Sequence, residues 1–226
     1  MRYIFLLIIL CCFSCNNERV LHLPEIENTK ITEVLDISPA YIFYDETQPD
    51  STLLNRKNLI ITTNWLVNVD KRLTLRQAIP HIKFLQDKKR NAKMHKNEDA
   101  KNYFTCNDMS IGNLGFLEFT DVNYAKKDSS NYWAGKNHIW KRNHLEVHFI
   151  DDTNTFIEGI IVEPIQTKSK NKDLTSSLTN LIKSDTIKLI LNFNQTLSFQ
   201  DYISIKSELL KLKSEKIRID PNEFIY

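Results

Sequence analysis

The chain has 226 residues, with 30 Lys and Arg against 28 Asp and Glu, a formal charge of +2, and 42% hydrophobic residues. So even a balance excludes the basic surface of a non-specific nucleic-acid binder, and nothing in the sequence points to nucleic acid as a partner. Only four glycines and no low-complexity tract exclude a disordered or fibrous chain, and no phosphate-binding glycine loop or Gly-x-Ser-x-Gly elbow offers a motif route to an activity.

At the N-terminus, Met1-Arg2-Tyr3 supplies one positive charge and Ile4 to Phe13 forms an apolar run of ten residues before Ser14-Cys15. As a helix that run rises about 15 Å, half a bilayer core, so it suits the h-region of a signal peptide rather than a membrane span. The segment resembles the N-termini of bacterial lipoproteins: the small Ser14 directly precedes Cys15, and the polar Asn16-Asn17-Glu18 follows. Cys12 stands where that family commonly has Leu, and Cys11 and Cys12 compete as modified residues, but the small residue before it favours Cys15. The resemblance implies cleavage before Cys15, diacylglycerol on its sulfur, and a membrane-anchored envelope lipoprotein exposed outside the cytoplasm, with two or more acyl chains giving stable attachment. A cleaved secretory signal without lipid is the alternative.

These features divide the chain into a signal peptide (1–14), a lipidated tether (15–30) that lets the fold stand off the membrane, and a globular region (31–226) open to division into 31–110 and 111–226. After cleavage only Cys15 and Cys106 remain, which excludes a disulfide framework and leaves Cys106 as a small buried hydrophobe.

Ala40 to Tyr44 reads as a strand, Asp45 to Asp50 as a loop, and Leu59 to Val69 as a second strand. Thr74-Leu75-Arg76-Gln77 has capping-box spacing and predicts a helix start, with Ala78, Ile79, Ile82, Leu85 and Phe84 as its apolar stripe and Pro80 as a point where it shifts or kinks. The charged stretch Asp87 to Lys101 reads as a solvated helical face and loop. Gly115 to Thr120, Leu145 to Ile150 and Phe156 to Glu163 are β-favouring, the last two forming a hairpin through Asp151-Asp152-Thr153-Asn154. A polar segment, Lys168 to Asp173, leads to a helical pattern at Leu174 to Ile182. Ile187 to Phe193 reads as a strand, Ser198-Phe199-Gln200-Asp201 as a helix start, Phe199, Tyr202, Ile203, Leu209 and Leu210 as one helical face, and Lys216 to Asp220 as a last strand. This β-α-β order predicts a parallel pair. The expected class is α+β: a mixed sheet with β-α-β units and a central hairpin, helices packed on one face.

With an offset of 124, Leu66 to Leu85 aligns on Ile190 to Leu209, bringing Asn68 onto Asn192, Leu73 onto Leu197 and Thr74 onto Ser198. The low identity favours convergence on a common strand-to-helix grammar over duplication. Residues 187–220 also resemble the small periplasmic domain of the biopolymer-transport (Ton/Tol energy-transducing) proteins, with an apolar strand, Asn192 and Asn194 where that family commonly has an acidic residue, Tyr202, a helix and a short last strand. The likeness covers about a sixth of the chain, departs from the family in lacking an intramembrane aspartate, and lends at most its fold.

One constellation carries chemistry. His144, Glu146 and His148 alternate with Leu145, Val147 and Phe149, so an extended strand puts the three polar side chains on one face. Imidazole and carboxylate converging from one face suit zinc or a similar divalent ion, and His138 lies near enough to add a ligand. The same alternation is also what a strand with one solvated face shows. Tyr132, Trp133 and Trp140 beside Lys136, Lys141 and Arg142 read either as packing or as a partner or glycan surface. No catalytic residue stands out and no resident cofactor is required. The expected function is a non-enzymatic binding module anchored in the envelope, with an envelope protein or a wall or membrane component as partner. A metal-binding protein or metal-dependent enzyme, and an accessory part of an envelope transport complex, are the alternatives.

Overall fold

The computed structural model describes residues 19–94, 96–127, 129, 143–181, 186–212 and 216–226. Cys15, His138 and the aromatic and basic group at 132–142 lie outside the described residues.

The class is mixed α/β, with the strands divided between two sheets rather than gathered in one. The first holds β1 (Glu25–Ile26), β2 (Ile37–Tyr44), β3 (Thr52–Asn55), β4 (Asn64–Val69), β5 (Asn102–Asp108) and β6 (Asn113–Glu118). The second holds β7 (Asn123–Ala125), β8 (His144–Phe149), β9 (Asn154–Ile160), β10 (Pro164–Lys170), β11 (Ile187–Phe193) and β12 (Ile217–Ile225). Three α-helices lie among the described residues, α1 (Leu75–Arg90), α2 (Leu174–Leu181) and α3 (Phe199–Leu210).

The central strand of each sheet leads into a capped helix. After β4 the chain turns through Asp70 and enters α1 at Thr74, whose amide donates to Gln77 Oε1 at 2.9 Å. After β11 it turns through Asn194 and enters α3 at Ser198, whose Oγ accepts from Asp201 N at 3.1 Å while Asp201 Oδ2 accepts from Ser198 N at 3.1 Å. These reciprocal bonds satisfy donors that every helix start leaves unpaired. Pro80 sits inside α1 without ending it. Each crossover returns to a parallel strand, β4 to β5 and β11 to β12, as the β-α-β reading expects.

The helices share one core with both sheets. Leu75, Ala78, Ile79, Ile82 and Leu85 recur at helical spacing on the buried side of α1. Tyr202 of α3 lies edge-on to Phe104 of the first sheet at 6.2 Å and to Phe193 of the second at 5.1 Å. Leu210, expected on that buried face, is instead 49% exposed. The link between the sheets is fixed to α1 by Gln86, whose Nε2 donates to Phe119 O and Val122 O at 3.0 Å. Cys106 is fully buried, and burial pushes its thiol up, out of the reactive range.

Two boundaries differ from expectation. Glu25–Ile26 pair with Asn107–Asp108 and Ile26 is buried, so the fold takes in residues assigned to the tether. A division at 110/111 would cut the antiparallel β5–β6 pair; the change of sheet falls after β6, at 119–122.

Candidate metal centre

The site lies on the second sheet, on the face turned away from the core. In β8, Leu145, Val147 and Phe149 are fully buried and His144, Glu146 and His148 alternate with them, as the pleat requires. The hairpin then brings a partner: β9 runs antiparallel to β8 with Glu158 opposite Glu146 and Phe156 opposite His148.

Glu146, His148 and Glu158 each offer a ligand atom, and these atoms all lie within 4.8 Å of one another. His148 Nε2 is 3.2 Å from Glu158 Oε1 and 3.9 Å from Glu146 Oε2. That nitrogen has no exposed surface and no aligned hydrogen bond among the described residues. Of His144, Glu146 and His148, the three residues singled out from the sequence, the structure brings Glu146 and His148 into this group. His144 lies one pleat further along, opposite Ile160 and Lys188, and is not in the group. Glu158 takes its place. It lay within the expected strand Phe156 to Glu163, and counting back across the turn from Phe149 opposite Thr155 places it opposite Glu146.

Like charges directly opposite on paired strands repel. Here they hold position with support from around them. The Ser129 hydroxyl donates to Glu146, and the Ser129 amide donates to Asn192 Oδ1 at 2.9 Å. Asn192, opposite His148 on β11, is fully buried. Across the hairpin, Gln166 Nε2 on β10 approaches Glu158 Oε2 at 3.4 Å. The two carboxylates, with side-chain exposures of 20% and 37%, thus flank an imidazole of 19%.

The donor set fits a first-row divalent ion. Bonds of about 2.0–2.1 Å around a tetrahedral zinc put ligand atoms about 3.3 Å apart, and the His148–Glu158 separation already matches. Glu146 Oε2, 3.9 Å from the imidazole nitrogen, is the third candidate ligand. A cleft of about 370 Å³ borders the two carboxylates, with His144, Ile160, Pro164 and Ile165 in its walls.

Comparison with family models, with curated proteins and with solved structures gives no match. No helix among the described residues is long and apolar enough to cross a membrane.

Proposed function

We propose that this protein is a lipid-anchored envelope protein that binds a divalent transition metal, zinc or an ion of similar preference, at Glu146, His148 and Glu158. The observation that carries the metal reading is the convergence of two opposed carboxylates on one enclosed, unbonded imidazole nitrogen within 4.8 Å. A cation at that point neutralises the carboxylate pair and uses the nitrogen. The anchoring rests on the lipoprotein-like residues that end at Cys15. The function is read as binding, since only the ligand set itself speaks for chemistry at this site.

The test is elemental analysis of the full-length chain, purified in detergent without a metal-affinity tag, beside a His148→Ala, Glu158→Gln variant. About one metal per chain, lost in the variant, supports the reading. Metal-free protein that gains no thermal stability on adding zinc overturns it.

A further inference from the structure

The apolar residues of β2 face both ways. Ala40 and Ile42 are buried in the core, while Pro39, Tyr41 and Phe43 point to the other face, with Ile37 beside them at 46% exposure. Strands of this kind belong to sheets covered on both sides. On half of that outer face the cover is present: Ile31 and Val34 pack on Leu66, Tyr103 and Phe116. The other half is left part-exposed. There Tyr41 and Phe43 stack with ring centroids 5.8 Å apart, and Leu53 of β3 sits opposite Phe43.

The chain leading to the anchor arrives at this end of the sheet. Arg19 Nε lies 3.3 Å from Asp45 Oδ2, two residues beyond Phe43. His22 is held more firmly, its amide donating to the buried Asp70 at 3.2 Å and its carbonyl accepting from Lys71 N at 2.8 Å. From Arg19 back to Cys15 there are four residue steps, which span at most about 14 Å. Such a reach keeps the Arg19 end of the fold within about 14 Å of the anchored residue.

We infer that the part-exposed half of this outer face, Ile37, Pro39, Tyr41, Phe43 and Leu53, lies against the lipid surface to which Cys15 is anchored. The inference rests on the lipid-anchor reading and is independent of the metal centre. Stacked aromatic rings beside aliphatic residues suit the interfacial zone, where Tyr and neighbouring apolar groups sit at headgroup depth. At the same end Arg19 is paired with Asp45, Arg72 with Asp70 and Lys71 with Glu25, so insertion of apolar groups, rather than attraction to anionic lipid, holds the contact.

The test uses full-length protein reconstituted in vesicles of phosphatidylethanolamine and phosphatidylglycerol. An environment-sensitive nitrobenzoxadiazole label is placed on Phe43→Cys, on Tyr41→Cys, and on Val162→Cys, which is 83% exposed on the other sheet. The buried Cys106 does not compete for label. A several-fold emission rise and blue shift at 43 and 41 on vesicle binding, with none at 162, is the expected result. Protein that floats with vesicles and carries acyl mass on Cys15, yet shows positions 41 and 43 as wet as 162, overturns the docking and leaves the anchor standing. Shielding at 41 and 43 without vesicles, growing with protein concentration, overturns it in favour of a second copy on this face. Protein that carries no acyl group and does not float removes the anchor and the docking with it.

Discussion

Thr74 and Ser198, the cap residues of α1 and α3, face each other across an isolated antiparallel bridge. The bonds around them exchange under the offset of 124. Leu75 N donates to Leu197 O at 2.9 Å and Phe199 N to Leu73 O at 2.6 Å; Arg76 N donates to Gln195 O at 2.9 Å and Gln200 N to Lys71 O at 3.2 Å. The equivalence extends outward. In each sheet the central strand lies between two parallel neighbours, β2 and β5 around β4, β8 and β12 around β11, and β2 and β8 each carry an antiparallel hairpin partner. Asp36 and Asn143, each just before the first of these strands, both adopt positive φ, and their carbonyls accept from Asn64 N and Lys188 N. The two halves are one strand-and-helix design used twice, joined where their helices begin. The pairing of so many equivalent backbone groups goes beyond a shared strand-to-helix grammar.

That junction gives a first prediction. Ser198→Ala removes the acceptor for Asp201 N and leaves a helix-start donor unpaired next to the bridge, so stability should fall by about 1 kcal/mol. Urea unfolding checks it. An unchanged midpoint would mean that the bridge, not the cap, sets the start of α3.

Lys89 gives a second. It is buried, donating to Thr63 O at 3.1 Å, Lys101 O at 2.9 Å and Asn102 Oδ1 at 3.2 Å, with its amine 5.1 Å from the centroid of the Trp65 ring. Among the described residues no carboxylate partners it, and burial pulls its pKa down to about 8. Between about pH 8 and the ordinary lysine value near 10.4, the unfolded chain therefore holds more protons than the folded one. This group's contribution to stability then rises with pH through that window, the reverse of a paired lysine. Lys89→Met should flatten the rise, and at pH 7 should cost about 1–3 kcal/mol through the three acceptors it leaves unsatisfied. Unfolding measured between pH 7 and 10 for both proteins checks both effects.

Lys89 also shows where the sequence was legible. It lies in the charged run Asp87 to Lys101, read as a solvated face, yet it falls fourteen residues after Leu75, on the same helical stripe as Leu75, Ala78, Ile82 and Leu85. Periodicity carried that information; charge hid it. The caps at Thr74 and Ser198, the β8–β9 hairpin and the parallel pair around α3 were readable because their signals are local. The polar segment Lys168 to Asp173 takes in only the end of β10, and the rest of that strand went unread because an edge strand with no buried residue shows no apolar pattern. β5 was missed although nearly all of it is buried, because Asn102, Thr105 and Asp108 break its apolar run; Asn102 and Asp108 are held by bonds to Lys89 and Thr29 that no local pattern encodes, and Thr105 Oγ1 has no hydrogen-bond partner among the described residues. At the candidate site, β8 showed its two ligands by alternation, whereas Glu158 depended on hairpin register.

Lys206 and Glu223 supply a third prediction. Glu223 is 1% exposed, bonded by the Lys206 amine and by Tyr202 OH at 2.7 Å, and Tyr202 OH lies 3.0 Å from Tyr124 OH. Lys206→Met leaves a buried carboxylate without its cation, a loss of about 3–5 kcal/mol. Lys206→Met with Glu223→Gln should recover much of it, since the buried charge is then gone. A double variant no more stable than the single would show that Lys206 acts by packing its stem rather than by charge.

The metal centre gives the last prediction, in which affinity and stability move in opposite directions. Glu146 and Glu158 oppose each other at the same register position, so in metal-free protein their charges work against the hairpin. Glu158→Gln should therefore raise the melting temperature of metal-free protein while removing the rise that zinc gives. In the parent chain that rise corresponds to about 2.7 kcal/mol when free zinc is a hundredfold above Kd. His148→Ala should lose the zinc effect without the metal-free gain, because it removes a ligand and no charge repulsion. His144→Ala should leave the zinc effect intact, because the structure places that ring outside the group. Thermal unfolding of the four proteins with and without zinc separates these outcomes. Loss of the zinc effect in His144→Ala with retention in Glu158→Gln would move the site back to β8 alone, the arrangement first suggested by the alternation of its residues.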